Sequence, residues 1–232
     1  MKVLGITGGV GAGRSTVLDY LRETYSARVI QCDEAARELQ EPGGSCYQPM
    51  VELFGQQAVL PDGQLNRSEI ARLVFGDRNL LERLNRIVHP KVKAYVTEEI
   101  RRERAGGKTS LMVIEAALLL EERYDLLCDE IWYIHTEEKI RRQRLKKSRG
   151  YTDEKITGIM AAQKPDEYFR EHCQFVVERA RNIVVLPAEA AETASMWVPT
   201  MRGCWWTQAS AGRKSARACR ALTESRRSWT GF

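Results

Sequence analysis

Residues 8–16 read GGVGAGRST. Set against the phosphate-binding pattern G-x-x-x-x-G-K-[ST], Gly8, Gly13 and Ser15 match, and position 14 carries arginine where the pattern has lysine. Glycines let such a loop take positive φ and turn its backbone N–H groups toward phosphate oxygens. A helix starting near Arg14 adds the positive end of its dipole. The flanks fit: KVLGIT (2–7) is a short β-rich run, and STVLDYLRETY (15–25) places Val17, Leu18 and Leu21 at helical spacing. Strand, glycine loop and helix therefore predict a nucleotide phosphate cradle made by Gly8, Gly9, Gly11, Ala12, Gly13, Arg14, Ser15 and Thr16, with the Ser15 hydroxyl available to Mg²⁺. Arg14 keeps the charge of the usual lysine, but its fork is planar and bulkier than an ammonium, which shifts its placement at a transferring phosphoryl group.

Working outward, the chain alternates short buried strands with helices. ARVIQ (27–31) reads as a second strand, and DEAARELQ (33–40) as a helix with Asp33 as its N-cap. EPGG (41–44) breaks that helix. Residues 45–108 are helical in pattern, apart from a turn at PDG (61–63). SLMVIEAALLL (110–120) begins as a buried strand, EIWYIHT (130–136) is another, and CQFVVE (173–178) a fifth. Between the last two lies a long basic helical segment, 137–163, with a break near Gly150. This alternation predicts a parallel sheet covered on both faces. The expected fold class is a three-layer α/β/α P-loop NTPase with a five-stranded parallel sheet. Its core is 1–44, 109–136 and 164–178, with a helical acceptor-binding insert at 45–108 and a helical lid at 137–163.

Composition excludes more than it assigns. With 43% hydrophobic and 29% charged residues, the 232-residue chain reads as an ordinary soluble protein. No run approaches the ~20 apolar residues that span a bilayer, so no membrane partner is expected. The start is not a secretory signal, and the six cysteines show no C-x-x-C spacing. Free thiols and a cytoplasmic location are the expectation. The net charge of +5 is uneven: from Ser195 onward seven basic residues face one acid, leaving the rest at −1, so no nucleic-acid partner is implied. Four of the five tryptophans fall in that same stretch, and residues 179–232 read as an atypical basic, Trp-rich tail.

Outside the loop, two carboxylates end strands on the edge where α/β sheets bind ligands. Asp33 is placed to accept a proton from an attacking hydroxyl, and Glu115 to orient Mg²⁺ through water. Of the basic run Arg141, Arg142, Arg144, Lys146, Lys147 and Arg149, most are expected on a solvated helix face, with Arg144 and Arg149 the candidates to touch phosphate. His89, a lone histidine before Pro90, is not read as a general base.

Taken together, these blocks resemble the dephospho-coenzyme A kinase family. The resemblance rests on GITGGVGAGRST, VIQCDEAAREL, FG at 54–55, DGQLNRSEIARLVFGD, LNRIVHPKV, VIEAALLLE, the lid segment ending at Gln163, and CQFVVE, over about residues 1–178. It implies transfer of the γ-phosphoryl of MgATP to the ribose 3′-hydroxyl of dephospho-coenzyme A. The loop then binds ATP, Asp33 is the base, Arg67 and His89 hold the acceptor, and Arg144 acts from the lid. A related nucleotide or nucleoside kinase, and a nucleotide-binding pseudo-kinase, are the competing readings. Three departures stand out: Arg14 for lysine, Gln31 where the family carries a first acid two residues before Asp33, and the loss of resemblance after residue 178. A shift of reading frame near residue 179 would explain the last. Oligomeric state is not legible in the sequence.

Overall fold

The phosphate loop begins where a buried strand ends. In the computed structural model, which describes residues 1–180 and 183–185, β1 (Lys2–Thr7) is buried from its second residue on and leads through residues 8–13 into α1 (Arg14–Tyr25). The sheet is three-layered with its helices, and its strand order is β2 (Arg28–Gln31), β3 (Leu111–Glu115), β1, β4 (Glu130–His135), β5 (Phe175–Ala180), β6 (Ile183–Val185). Five strands are parallel, as the alternation of short strands with helices predicts. The sixth, antiparallel to β5, is an addition that the sequence reading lacks. Apart from these strand residues, everything expected of the tail beyond 178, the frame shift included, lies outside the described residues.

By proximity the chain forms two compact units. One comprises Met1–Gly5 and Ala27–Asp129, the other Ile6–Ser26 and the described chain from Glu130. In the first, β2 and β3 run parallel with Gln31 opposite Glu115, and all five residues of β3 are buried. α2 (Cys32–Leu39), α3 (Tyr47–Phe54) and α4 (Arg67–Phe75) pack on the long α5 (Arg78–Gly106). α5 buries Val88, Val92, Val96, Glu99 and Ile100, a stripe at three- and four-residue spacing. Asn66 and Asp77 cap α4 and α5, each side chain accepting a backbone N–H three residues on. The PDG turn joins a single antiparallel bridge, Val59 with Leu65.

In the second unit α1 buries Val17, Leu18, Leu21 and Tyr25. α6 (Glu138–Arg149) ends at Gly150 in the left-handed conformation, and α7 (Asp153–Ala161) starts from the Thr152 cap. Gly150 is thus the break expected near that position, a C-cap whose positive φ suits glycine. α8 (Asp166–His172) follows, and its Phe169 stacks on Tyr133 of β4 with ring centroids 4.8 Å apart.

Candidate active site

The second unit holds the glycine loop. Gly13, at φ 89°, is the N-cap of α1, and no acid stands in the helix's first turn. The first-turn N–H groups therefore face no carboxylate of their own helix, the condition an anion site needs. Ser15 and Thr16 lie exposed in that turn. Gly8 is required by a close approach: a Cβ there would stand 2.6 Å from the carbonyl oxygen of Ile134 on β4. Gly8→Ala should therefore lower the unfolding free energy by ~1–3 kcal/mol and weaken ATP binding. Gly76→Ala should leave both unchanged, since nothing lies within 4 Å of its Cβ position. Chemical denaturation and ATP titration of the two variants check this pair.

Every carbonyl of residues 8–12 accepts from a donor. The Arg14 Nη1 donates to the carbonyl of Gly8. The Ala12 N–H donates to Gly9 at 3.0 Å, and Arg141 Nε to Val10 at 2.9 Å. Arg144 Nη1 donates to Gly11 at 3.3 Å and to Ala12 at 3.1 Å, where the buried Thr136 hydroxyl joins it at 2.9 Å. A planar trans peptide points its C=O and N–H in opposite directions. With the Ala12 carbonyl held by Arg144 and Thr136, the Gly13 N–H faces away from them. Three guanidinium groups thus cover the acceptor side of the loop and leave its character cationic. Burial lowers the Arg144 guanidinium from its ordinary value, yet it stays charged at any working pH.

The lid arginines sort differently from the sequence expectation. Arg144 reaches the loop. Arg149 lies instead by the Tyr151 ring, 5.9 Å from its centroid, and Arg141, not singled out beforehand, takes a place on the loop. Spacing alone does not separate them, because Arg149 follows Leu145 by four residues. Arg141, Arg144 and the buried Leu145 fall three and four residues apart on one helix face, whereas Arg149 ends α6 about two turns on. Gln163 and Thr136 were likewise missed as loop-contacting residues, since neither carries a charge or motif of its own.

In the first unit, α2 starts at Cys32 with Gln31 as its N-cap, so Asp33 is not the cap expected of it. The helical conformation begins one residue before the aspartate, because strand β2 runs straight into the helix. Asp33 instead lies exposed in the first turn of that helix. Glu115, 5% exposed, ends β3 and accepts from the Gln31 amide at 3.5 Å. An amide thus faces this carboxylate across the two strands.

Burial pushes the Cys32 thiol up to about 12, against the pull of the Tyr124 hydroxyl; Cys128 and Cys173 are likewise pushed up to about 12 by burial. A thiol with a raised pKa contributes stability that is complete below pH 9 and is lost as pH rises from there toward 12, because the unfolded thiol ionises first. Each of the three should cost up to ~1.4 kcal/mol of unfolding free energy per pH unit in that window. Urea unfolding at pH 8.5 and 10.5 measures it, and substitution of all three by alanine should flatten the difference.

Arg67 and His89 lie in this same unit with partners of their own. Arg67, the first residue of α4, donates to Gln40 Oε1 at 2.9 Å, to the Arg37 carbonyl at 3.3 Å and to Glu41 Oε1 at 3.1 Å. It therefore grips the end of α2, the helix whose first turn carries Asp33. His89 Nδ1 meets Glu122 Oε1 at 2.7 Å. Both line an open cleft of about 410 Å³ with Glu82, Asn85, Arg86 and Pro90. Pro90 has no N–H, so the Arg86 carbonyl in this cleft lacks its usual helical donor.

Comparison with known proteins adds the following. A family model described as "Dephospho-CoA kinase" matches residues 2–184, six residues beyond the blocks read above. The chain is 31% identical over 183 residues to a dephospho-CoA kinase of Carboxydothermus hydrogenoformans, covering 79% of this chain and 88% of that one. Among solved structures, TT1252 from Thermus thermophilus superposes with a TM-score of 0.69 at 27% identity, over 87% of this chain and 98% of that chain. A dephospho-CoA kinase from Campylobacter jejuni shares the fold, with a TM-score of 0.58 at 16% identity over 86% and 96% of the two chains.

Proposed function

The chain belongs to the dephospho-CoA kinase family, and from that premise we propose how its residues divide the transfer of a phosphoryl group from ATP to dephospho-CoA. It is a phosphotransferase. The observation that supports the reading best is the loop itself: its carbonyls are occupied by Arg14, Arg141, Arg144, Thr136 and its own backbone, while the first turn of α1 carries no acid.

In this reading the loop N–H groups from Gly11 to Thr16, apart from that of Ala12, hold the ATP phosphates, with Arg14 and Arg144 adding charge where it accumulates in the transition state. Arg67 and His89 hold the acceptor. Asp33 accepts the proton of the ribose 3′-hydroxyl as that oxygen forms its bond to the γ-phosphorus. The bond from the γ-phosphorus to the bridging oxygen breaks, ADP leaves, and coenzyme A is the product.

The residues suit Mg²⁺. Among the described residues no three His, Cys, Asp or Glu side chains gather as a metal cage, whereas Ser15 offers one exposed hydroxyl oxygen beside the loop. A hard cation that keeps its waters and takes its other oxygens from phosphates asks for little more. When bound, it supplies charge neutralisation across the β- and γ-phosphates; Ser15 would be its protein ligand, and Glu115 would orient a water on it. The reading includes a cytoplasmic setting, supported by the free thiols of Cys32, Cys46, Cys128 and Cys173.

The test is direct. The purified chain is incubated with MgATP and dephospho-CoA, beside the same mixture with nucleosides as acceptors. Coenzyme A should appear only in the first. Product from a nucleoside alone, or no ADP in either, would overturn the reading.

A further inference from the structure

Arg141 and Gln163 close a ring around one residue of the phosphate loop. Arg141 Nε donates to the Val10 carbonyl at 2.9 Å, and its Nη2 donates to Gln163 Oε1 at 2.6 Å. The same Gln163 oxygen accepts the Val10 N–H at 3.3 Å. Both backbone groups of Val10 are thus held by side chains 131 and 153 residues away, one from the first turn of α6 and one just past the end of α7. The Arg141 guanidinium packs on Gly9, where a Cβ would collide with it. Gly9 is itself buried, and its carbonyl is tied to the Ala12 N–H.

We propose that Arg141 and Gln163 are positioning residues for the ATP loop. They fix the backbone on both sides of Val10 so that the N–H groups beyond it are set for phosphate before ATP arrives. A glycine-rich loop has more backbone freedom to lose than any other stretch of chain, and binding by an unbraced loop must absorb that loss. Fixing Val10 from both its N–H and its C=O removes freedom from the two peptides that flank it. Gly9 is glycine here for a second reason besides conformation, namely to admit the guanidinium. Arg141 acts through Gln163 as much as through its charge, so a neutral residue shares its effect. The proposal rests on the loop's being the ATP site.

The experiment measures ATP binding by calorimetry and the KM values of both substrates for Arg141→Ala, Gln163→Ala, the double variant and Gly9→Ala. Arg142→Ala is the charge-matched control, since Arg142 bonds Glu138 and Thr157 on the lid's own surface. The ATP KM and Kd should rise by about tenfold or more in both single variants, the scale of effect that follows from a misplaced binding group. The double variant should lose less than the two single losses combined, because the bond between Arg141 and Gln163 couples their grips on Val10. Gly9→Ala should reproduce Arg141→Ala, and it displaces only a flexible side-chain end, so it keeps the test open if Arg141→Ala does not fold. The KM for dephospho-CoA and the control variant should stay within about twofold.

An Arg141→Ala defect that Gln163→Ala does not share, or effects that add in the double variant, would show that Arg141 serves as a bare charge and overturn the brace. Unchanged ATP affinity in all variants would do the same. Failure of the unaltered chain to bind ATP would overturn the reading of the loop and the brace together, whereas ATP binding with unaffected variants overturns the brace alone.

Discussion

Asp33→Asn should lower kcat by about 10²- to 10⁴-fold, the contribution of a positioned general base. Few groups near the start of α2 can take its place. Cys32, the preceding residue, is buried with its thiol pushed up to about 12, so it stays protonated at neutral pH. Gln31 carries an amide, which is no base, and that amide is turned to Glu115. Glu115 is buried at the end of β3, whereas Asp33 is exposed in a helix's first turn, where its carboxylate is open to an incoming hydroxyl. The substitution is nearly isosteric and removes only the proton acceptor. ATP affinity by calorimetry should therefore remain within about twofold of the parent. A kcat within threefold of the parent would remove Asp33 as the base; an equal loss of ATP affinity would make its role structural.

Arg14→Lys should raise kcat by about 10- to 10³-fold, the range found when one electrostatic contact to a reacting group is gained or lost. The lysine of such loops is a compact charge on a flexible stem that reaches the β- and γ-phosphates. Arg14 uses one arm of its fork on the carbonyl of Gly8, at the entrance of the loop. A guanidinium held by its own loop keeps the charge nearby, which serves binding, but places it by the geometry of the fork. The gain should therefore appear in kcat more than in ATP affinity. Single-turnover rates with saturating MgATP and dephospho-CoA measure it directly. An unchanged or lower rate in the lysine variant would show that arginine is as well placed here as lysine.

Much of this fold is legible along the chain because its signals are local. KVLGIT followed by GGVGAGRST and an apolar run at helical spacing determines β1, the loop and α1 wherever they fold, and α1 indeed starts at Arg14. The buried run LMVIE determines β3, and Gly150 ends α6 where the glycine stands. The start of α2 was misread by one residue. Aspartate is a strong cap on statistics, but β2 continues into helix at Cys32 and leaves Gln31 as the cap without a side-chain bond.

The site divides the same way. The family, the phosphate loop, Glu115 at the end of β3 and Asp33 just after β2 are all legible along the chain, because each is a contiguous pattern or a residue beside a readable element. Which arginines of the basic run meet the loop was decided only by tertiary structure. Helix α6 lays Arg141 and Arg144 on the loop and leaves Arg149 beside Tyr151. The same holds for Gln163 on Val10 and for Gln31 opposite Glu115, pairs separated by 153 and 84 residues. These partners depend on how helices pack and strands register, and that information is carried by the whole set of buried contacts rather than by any one stretch of the chain.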